Sequence, residues 1–226
     1  MGAGMVRIWA VLLAGPVAFL VGIIAISVAL AAMGVPAERI GADATAYAPH
    51  LLAGVLTVLA VLAWRLPLGV LWALPERGRA AQDMGIGAAV GVVLAVAYLV
   101  VLAPLLARLQ GMADYVPAGA VLETVSASIP LFFVTNILLA PVVEETIYRG
   151  FALRELTRRH GRIAAVVLSC AAFGLLHWTG GLWYMVLTGV VAGGAFAALA
   201  LWRGGLLAPF GAHFTLNAIE FAYAAN

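Results

Sequence analysis

Pro141-Val142-Val143-Glu144-Glu145-Thr146-Ile147-Tyr148-Arg149-Gly150 sets two adjacent carboxylates and an arginine in a chain that is otherwise almost continuously apolar. An ionised side chain at the centre of a bilayer costs at least about 2.5–3.5 kcal/mol on insertion scales, so charges kept there are functional hypotheses. The surroundings make lipid the relevant solvent. Of the 226 residues, 65% are hydrophobic and only 10% charged, and mean hydropathy is +1.11. A soluble domain carries roughly 25% charged residues.

Outward from this segment the apolar runs succeed one another at the length of membrane spans, about 20 residues each. They cover about residues 8–33, 50–74, 84–106, 124–159 with its acidic pair, 162–178, 182–202 and 206–223. The first run is longer than the roughly 7–15 residues of a signal-peptide core and reads as an uncleaved span. Residues 75–83 read as a short charged loop and 108–123 as a polar connection. Gly161, Gly180-Gly181 and Arg203-Gly204-Gly205 mark the turns. The expected fold is therefore all-α, a polytopic membrane bundle of about seven helices, with six to eight compatible with the proline-broken runs. Neither a tandem repeat nor a linker is visible, so residues 1–226 form one integral membrane domain.

All twelve basic residues are arginine. With the N-terminus in the cytoplasm, Arg7, Arg65, Arg77, Arg79, Arg154, Arg158, Arg159, Arg162 and Arg203 fall inside and only Arg39 and Arg108 outside. That split follows the positive-inside rule. The net charge of +2 is scattered, and no basic-aromatic patch points to nucleic acid. Cys170 is the single cysteine, which excludes an intramolecular disulfide.

Other polar groups interrupt the apolar runs near the acidic pair in sequence depth. His213 and Asn217 are four apart and share a helix face, as do Phe173 and His177. Glu145 and Arg149 have the same spacing and are expected to form a buried ion pair, leaving Glu144 free for chemistry. Glu144 lies 17 residues before Gly161 and His177 lies 16 after it. A hairpin at Gly161 would set both about 24–26 Å along their helices at 1.5 Å per residue. Glu144 is thus expected to face His177, with His213 and Asn217 supplied by the last helix.

Such a set suits amide hydrolysis, which needs a base to activate water and donors to hold the oxyanion. Glu144 would be the base and His177 would orient water or shuttle a proton, with His213 and Asn217 donating to the oxyanion. Phe173 would shape the pocket wall. No serine or cysteine lies in a nucleophile motif, so direct attack by water is expected. Glu144, His177 and His213 would also make a His₂Glu zinc set, but the His-Glu-x-x-His helix is missing, and metal-independent chemistry without a cofactor is the expectation. Intramembrane Glu, His and Arg also mark proton paths, although paired broken helices in inverted repeat are not evident.

Taken in order, Glu144-Glu145-x-x-x-Arg149, Phe173-x-x-x-His177 and His213-x-x-x-Asn217 resemble the three motifs of the CAAX-protease and bacteriocin-processing (CPBP) family of intramembrane endopeptidases. The resemblance covers about residues 141–217. It implies a helical membrane fold with a cytoplasm-facing catalytic cavity, a glutamate- and histidine-activated water, and an oxyanion site at the last motif. The partners it implies are the bilayer and a membrane-associated polypeptide substrate. Some relatives act by binding, as immunity or scaffold proteins. The lysine-free composition fits a bacterial inner membrane.

Overall fold

Bilayer hydrocarbon offers no water to backbone N–H and C=O groups, so a spanning segment without a closed barrel must be helical. The computed structural model describes residues 3–41, 43–44, 47, 72–73, 77–111 and 129–224, and no strand occurs among them. Helix α1 is Ala3–Ala32. Helix α2 starts as Arg77–Ala97, passes through a π-wound turn at Tyr98–Leu102 and ends as Ala103–Gln110. Helix α3 begins at Ile129–Phe132 and continues through π-wound Phe133–Leu139, α-helical Ala140–Glu144 and a second π stretch, Glu145–Leu153, towards Gly161. Beyond Gly161, α4 covers 162–176. Helix α5 is Leu182–Leu187, π-wound Thr188–Ala192 and Gly193–Arg203. Helix α6 is Leu207–Ala224.

Among the described residues four helical runs are long and apolar enough to cross a membrane: Ile8–Ala32, Gly78–Gln110, Ile129–Leu176 and Leu182–Arg203. The third is 48 residues long, but Gly161 at φ 79°, ψ 169° breaks it into α3 and α4. Helix α6 has 18 residues and is not among the four, because His213, Asn217 and Glu220 dilute its hydropathy. The apolar run 50–74 lies outside the described residues apart from Trp72 and Ala73. The first turns of the 124–159 run likewise fall outside them.

The charged segment ending at Asp83 is not the loop expected from its composition, since helix begins at Arg77. Asp83 is buried and paired with Arg203, which also bonds Gln82, while Arg79 donates to the Arg203 carbonyl at 2.8 Å. The charges are satisfied by the end of α5 instead of by solvent, and the helix extends through them. Arg108, expected in a connection, sits in the last turn of α2, which stops at Gly111 with φ 67°.

The broadest packing is α2 against α6, and small residues set it. A Cβ on Gly87 would come within 2.2 Å of the Ala208 carbonyl oxygen. One on Gly91 would come within 2.5 Å of the Ala212 oxygen and 2.7 Å of Thr215 Cβ. Gly174 and Gly189 bring α4 and α5 together in the same way. Helix α1 lies along the second π stretch of α3 and contributes buried Ile8 and Leu12.

Candidate active site

The second π stretch of α3 is buried over its whole length, from Glu145 to Leu153. Widening a helix to the i→i+5 pattern adds a residue to the turn and leaves carbonyls to find new donors, and such turns are frequent at functional sites. Ser169 on α4 supplies one, donating from Oγ to the Tyr148 carbonyl at 2.9 Å. The Thr146 hydroxyl donates to the Val142 carbonyl and accepts from Trp72 Nε1 at 2.9 Å.

Arg149 is 1% exposed and Glu145 0%. Nη1 of the arginine donates to Glu145 Oε1 at 3.3 Å, and Nη2 donates to the Gly193 carbonyl on α5 at 3.1 Å. The guanidinium carbon stands 4.2 Å above the Phe173 ring centroid and 5.3 Å from that of Phe196. A buried cation is tolerable when hydrogen-bonded, paired and faced by aromatic quadrupoles, and all three conditions are met.

Glu145 does more than hold Arg149. Its Oε1 also accepts from His213 Nδ1 at 2.9 Å. An ionised carboxylate bound by a guanidinium has no proton to give, so His213 carries its hydrogen on Nδ1. This leaves Nε2 directed at Glu144, whose Oε2 is 3.9 Å away. That separation is ion-pair range and longer than a hydrogen bond. Glu144 Oε2 is buried and takes no hydrogen bond from the protein. The His213 ring is stacked on Phe196 at 4.7 Å and 20°, which fixes its plane.

His177 caps α4 at φ −95°, ψ 20°, just before the 3₁₀ turn Trp178–Gly180. Its Nδ1 lies 2.9 Å from the Phe173 carbonyl. A carbonyl only accepts, so Nδ1 carries the hydrogen and Nε2 of the neutral ring keeps its lone pair. The ring packs 4.9 Å from Phe173 and 5.9 Å from Tyr184. Phe173 is the common neighbour, touching Tyr148, Phe196 and His213 as well as Arg149.

Glu144 meets His213 across the bundle, and His177 packs on the same Phe173 ring that touches His213. Depth reckoned at a uniform α-helical rise ignores the nine π-wound residues between Glu144 and Arg154, which change both the rise and the angular register of α3. Asn217, on α6, is held by the neighbouring helix α3. Its Nδ2 donates to the Asn136 carbonyl at 3.1 Å, on the first π stretch of α3. Among the described residues no group of three or more His, Cys, Asp or Glu side chains is arranged to hold a metal ion.

Spacing alone does not reveal Asn136, Gly193, Phe196 or Ser169. Asn136 carries the one available signal, a carboxamide within an apolar run five residues ahead of Pro141.

Comparison with known proteins gives one result at the family level. No curated protein and no solved structure matches the chain. Residues 126–219 match the family model described as type II CAAX prenyl endopeptidase Rce1-like, and every motif residue named above lies within that segment. Over residues 126–219, rather less than half of its length, the chain is similar to the Rce1-like membrane proteases.

Proposed function

We propose that the protein is an intramembrane endopeptidase that hydrolyses a peptide bond of a membrane-associated polypeptide with a Glu144-activated water. The observation that carries this reading is the relay Arg149–Glu145–His213–Glu144, four buried side chains in which the first two orient the His213 imidazole towards the Glu144 carboxylate. Glu144 Oε2, an acceptor without a protein donor, takes the proton of the attacking water. The new C–O bond makes a tetrahedral oxyanion, held by Asn217 and by His213 Nε2–H. His213 can donate there only as imidazolium, because its other nitrogen already donates to Glu145. When the C–N bond breaks, the departing amine receives the proton from Glu144. His177, with Nε2 free, orients the water or passes that proton.

The chemistry is proposed to be independent of metal, supported by the absence of a ligand cluster among the described residues. The wider frame is one domain crossing the membrane seven times. The four apolar runs count five times once the long one is divided at Gly161, and α6 and the 50–74 run complete the set. The N-terminus lies in the cytoplasm of a bacterial inner membrane, on the side where the Arg79–Arg203–Asp83 cluster sits.

The test is cleavage of a membrane-anchored reporter by purified protein in bilayers. Glu144→Gln, isosteric and unable to act as a base, is expected to insert and melt like wild type and to lose cleavage by at least about 100-fold, the lower range for general-base contributions. Wild-type cleavage is expected to survive EDTA. Host function that persists in both Glu144→Gln and His177→Ala would instead support a binding or scaffold role.

A further inference from the structure

The carboxamide of Asn217 is held by a main-chain carbonyl, that of Asn136, and the sequence shows why this carbonyl is available. In an α-helix the oxygen of Asn136 would accept from the N–H of Ala140. Here the Ala140 N–H bonds instead to Thr135, one register further back, as the π-winding of Phe133–Leu139 requires. In that π register the partner of Asn136 is residue 141. Residue 141 is proline, which has no N–H. The Asn136 oxygen is thus deprived of both its α and its π donor, and Asn217 Nδ2 occupies it at 3.1 Å from the neighbouring helix.

The side chain of Asn136 supports the same arrangement. Its Nδ2 donates to Thr135 Oγ1 at 2.9 Å and to the Phe132 carbonyl at 3.3 Å. Thr135 Oγ1 in turn donates to the Leu131 carbonyl at 2.8 Å. Phe221 of α6 packs on Phe132 and Phe133 with centroids at 6.0 and 5.6 Å, holding the two helices at this spacing. Pro141 is fully buried, so its own position does not drift.

We infer that Pro141 and the Asn136 carbonyl are positioning residues for Asn217: the proline denies the carbonyl a backbone donor so that it anchors one Nδ2 hydrogen, fixes the amide plane and leaves the second hydrogen for the oxyanion. This rests on the oxyanion role given to Asn217 above.

The test is a double-mutant cycle on reporter cleavage with Pro141→Ala, Asn217→Ala and the pair. Alanine restores an N–H at 141, which recaptures the Asn136 oxygen and frees the carboxamide. Removing one oxyanion donor costs about 100- to 1,000-fold in kcat. Pro141→Ala, which misaligns the donor without deleting it, is expected to cost at least about tenfold in kcat, with KM little changed, and to add nothing in the Asn217→Ala background. A loss of the same size in both backgrounds makes Pro141 merely structural and overturns the inference. No loss in an otherwise wild-type background, with Asn217→Ala slow, overturns the inference alone. Full activity of Asn217→Ala overturns the oxyanion role and the inference with it.

A second measurement avoids dependence on the variant folding. In asparagine-labelled wild-type protein, with the resonance assigned by its loss in Asn217→Ala, one Nδ2 proton is expected to be protected from exchange and the other not. Equal, fast exchange of both overturns the inference.

Discussion

Replacing Arg149 with methionine tests whether the relay is built around a compensated buried charge. Methionine keeps the unbranched apolar stem of the side chain while removing both hydrogen bonds, to Glu145 Oε1 and to the Gly193 carbonyl, and the guanidinium that faces Phe173 at 4.2 Å. Both partners of the ion pair have fully buried side chains. Breaking such a pair by deleting one member costs about 3–5 kcal/mol, because the survivor is left as an uncompensated charge. Glu145 keeps the His213 Nδ1 donor at 2.9 Å, which limits the loss. The Phe173 contact, desolvated, contributes about 2 kcal/mol more, part of which methionine regains by packing. Arg149→Met is therefore expected to destabilise the fold by about 3–5 kcal/mol. Equilibrium unfolding in mixed micelles, followed by tryptophan fluorescence, reads this directly. The decisive comparison is the double variant Glu145→Gln/Arg149→Met, which removes both charges while the glutamine oxygen still accepts from His213. It is expected to be more stable than Arg149→Met despite its extra substitution. A single variant within about 1 kcal/mol of wild type, the scale of an exposed pair, or a double variant worse than the single, refutes the compensated-charge account.

Two glycine substitutions address the frame that carries the site. Gly91→Ala puts a Cβ 2.5 Å from a main-chain oxygen of α6, a contact no rotamer can relieve. It is expected to cost about 1–3 kcal/mol as overpacking, and because it shifts α6 it should lower reporter cleavage as well as the unfolding midpoint. Gly161→Ala meets no atom within 4 Å, so any cost comes from the backbone at φ 79°, ψ 169° alone. A conformation reserved for glycine is expected to cost about 1–3 kcal/mol. Reporter kcat measured below the transition should be nearly unchanged, since the turn lies far from the relay.

The legible and illegible parts of this protein divide by helical register. Hydropathy and glycine placement located the breaks at Gly161, Gly181 and Gly204 because these depend on single residues with positive φ. The four-residue spacing of Glu145 and Arg149 announced their contact, and local pairing survived the π-winding at 3.3 Å. Counting depth over longer stretches assumes regular turns. The facing of Glu144 and His177 rested on counting uniform turns on either side of Gly161, whereas Glu145–Leu153 is π-wound, and the contact of Glu144 with His213 lies outside that count. Charge near a helix start was misleading too, since a buried partner contributed by a residue 120 positions away, Arg203 for Asp83, cannot be read from a local window.

The π-wound turns themselves share a function in the bundle. Each contains or adjoins a polar contact between two helices. Tyr98, in the π turn of α2, donates its hydroxyl to Thr188 at the start of the π turn of α5, at 3.1 Å. Arg149, in the second π stretch of α3, reaches the carbonyl of Gly193 immediately after that same turn of α5. Asn217 takes the carbonyl released in the first π stretch of α3. In lipid an unsatisfied backbone group costs several kcal/mol, so a widened turn is stabilised where a side chain from elsewhere donates to a carbonyl it exposes. Polar residues in a membrane helix can therefore do more than mark a reactive centre. By donating to carbonyls in irregular winding, as Ser169 does to Tyr148 and Asn217 to Asn136, they stabilise that winding, which sets the register of α3 around Glu144.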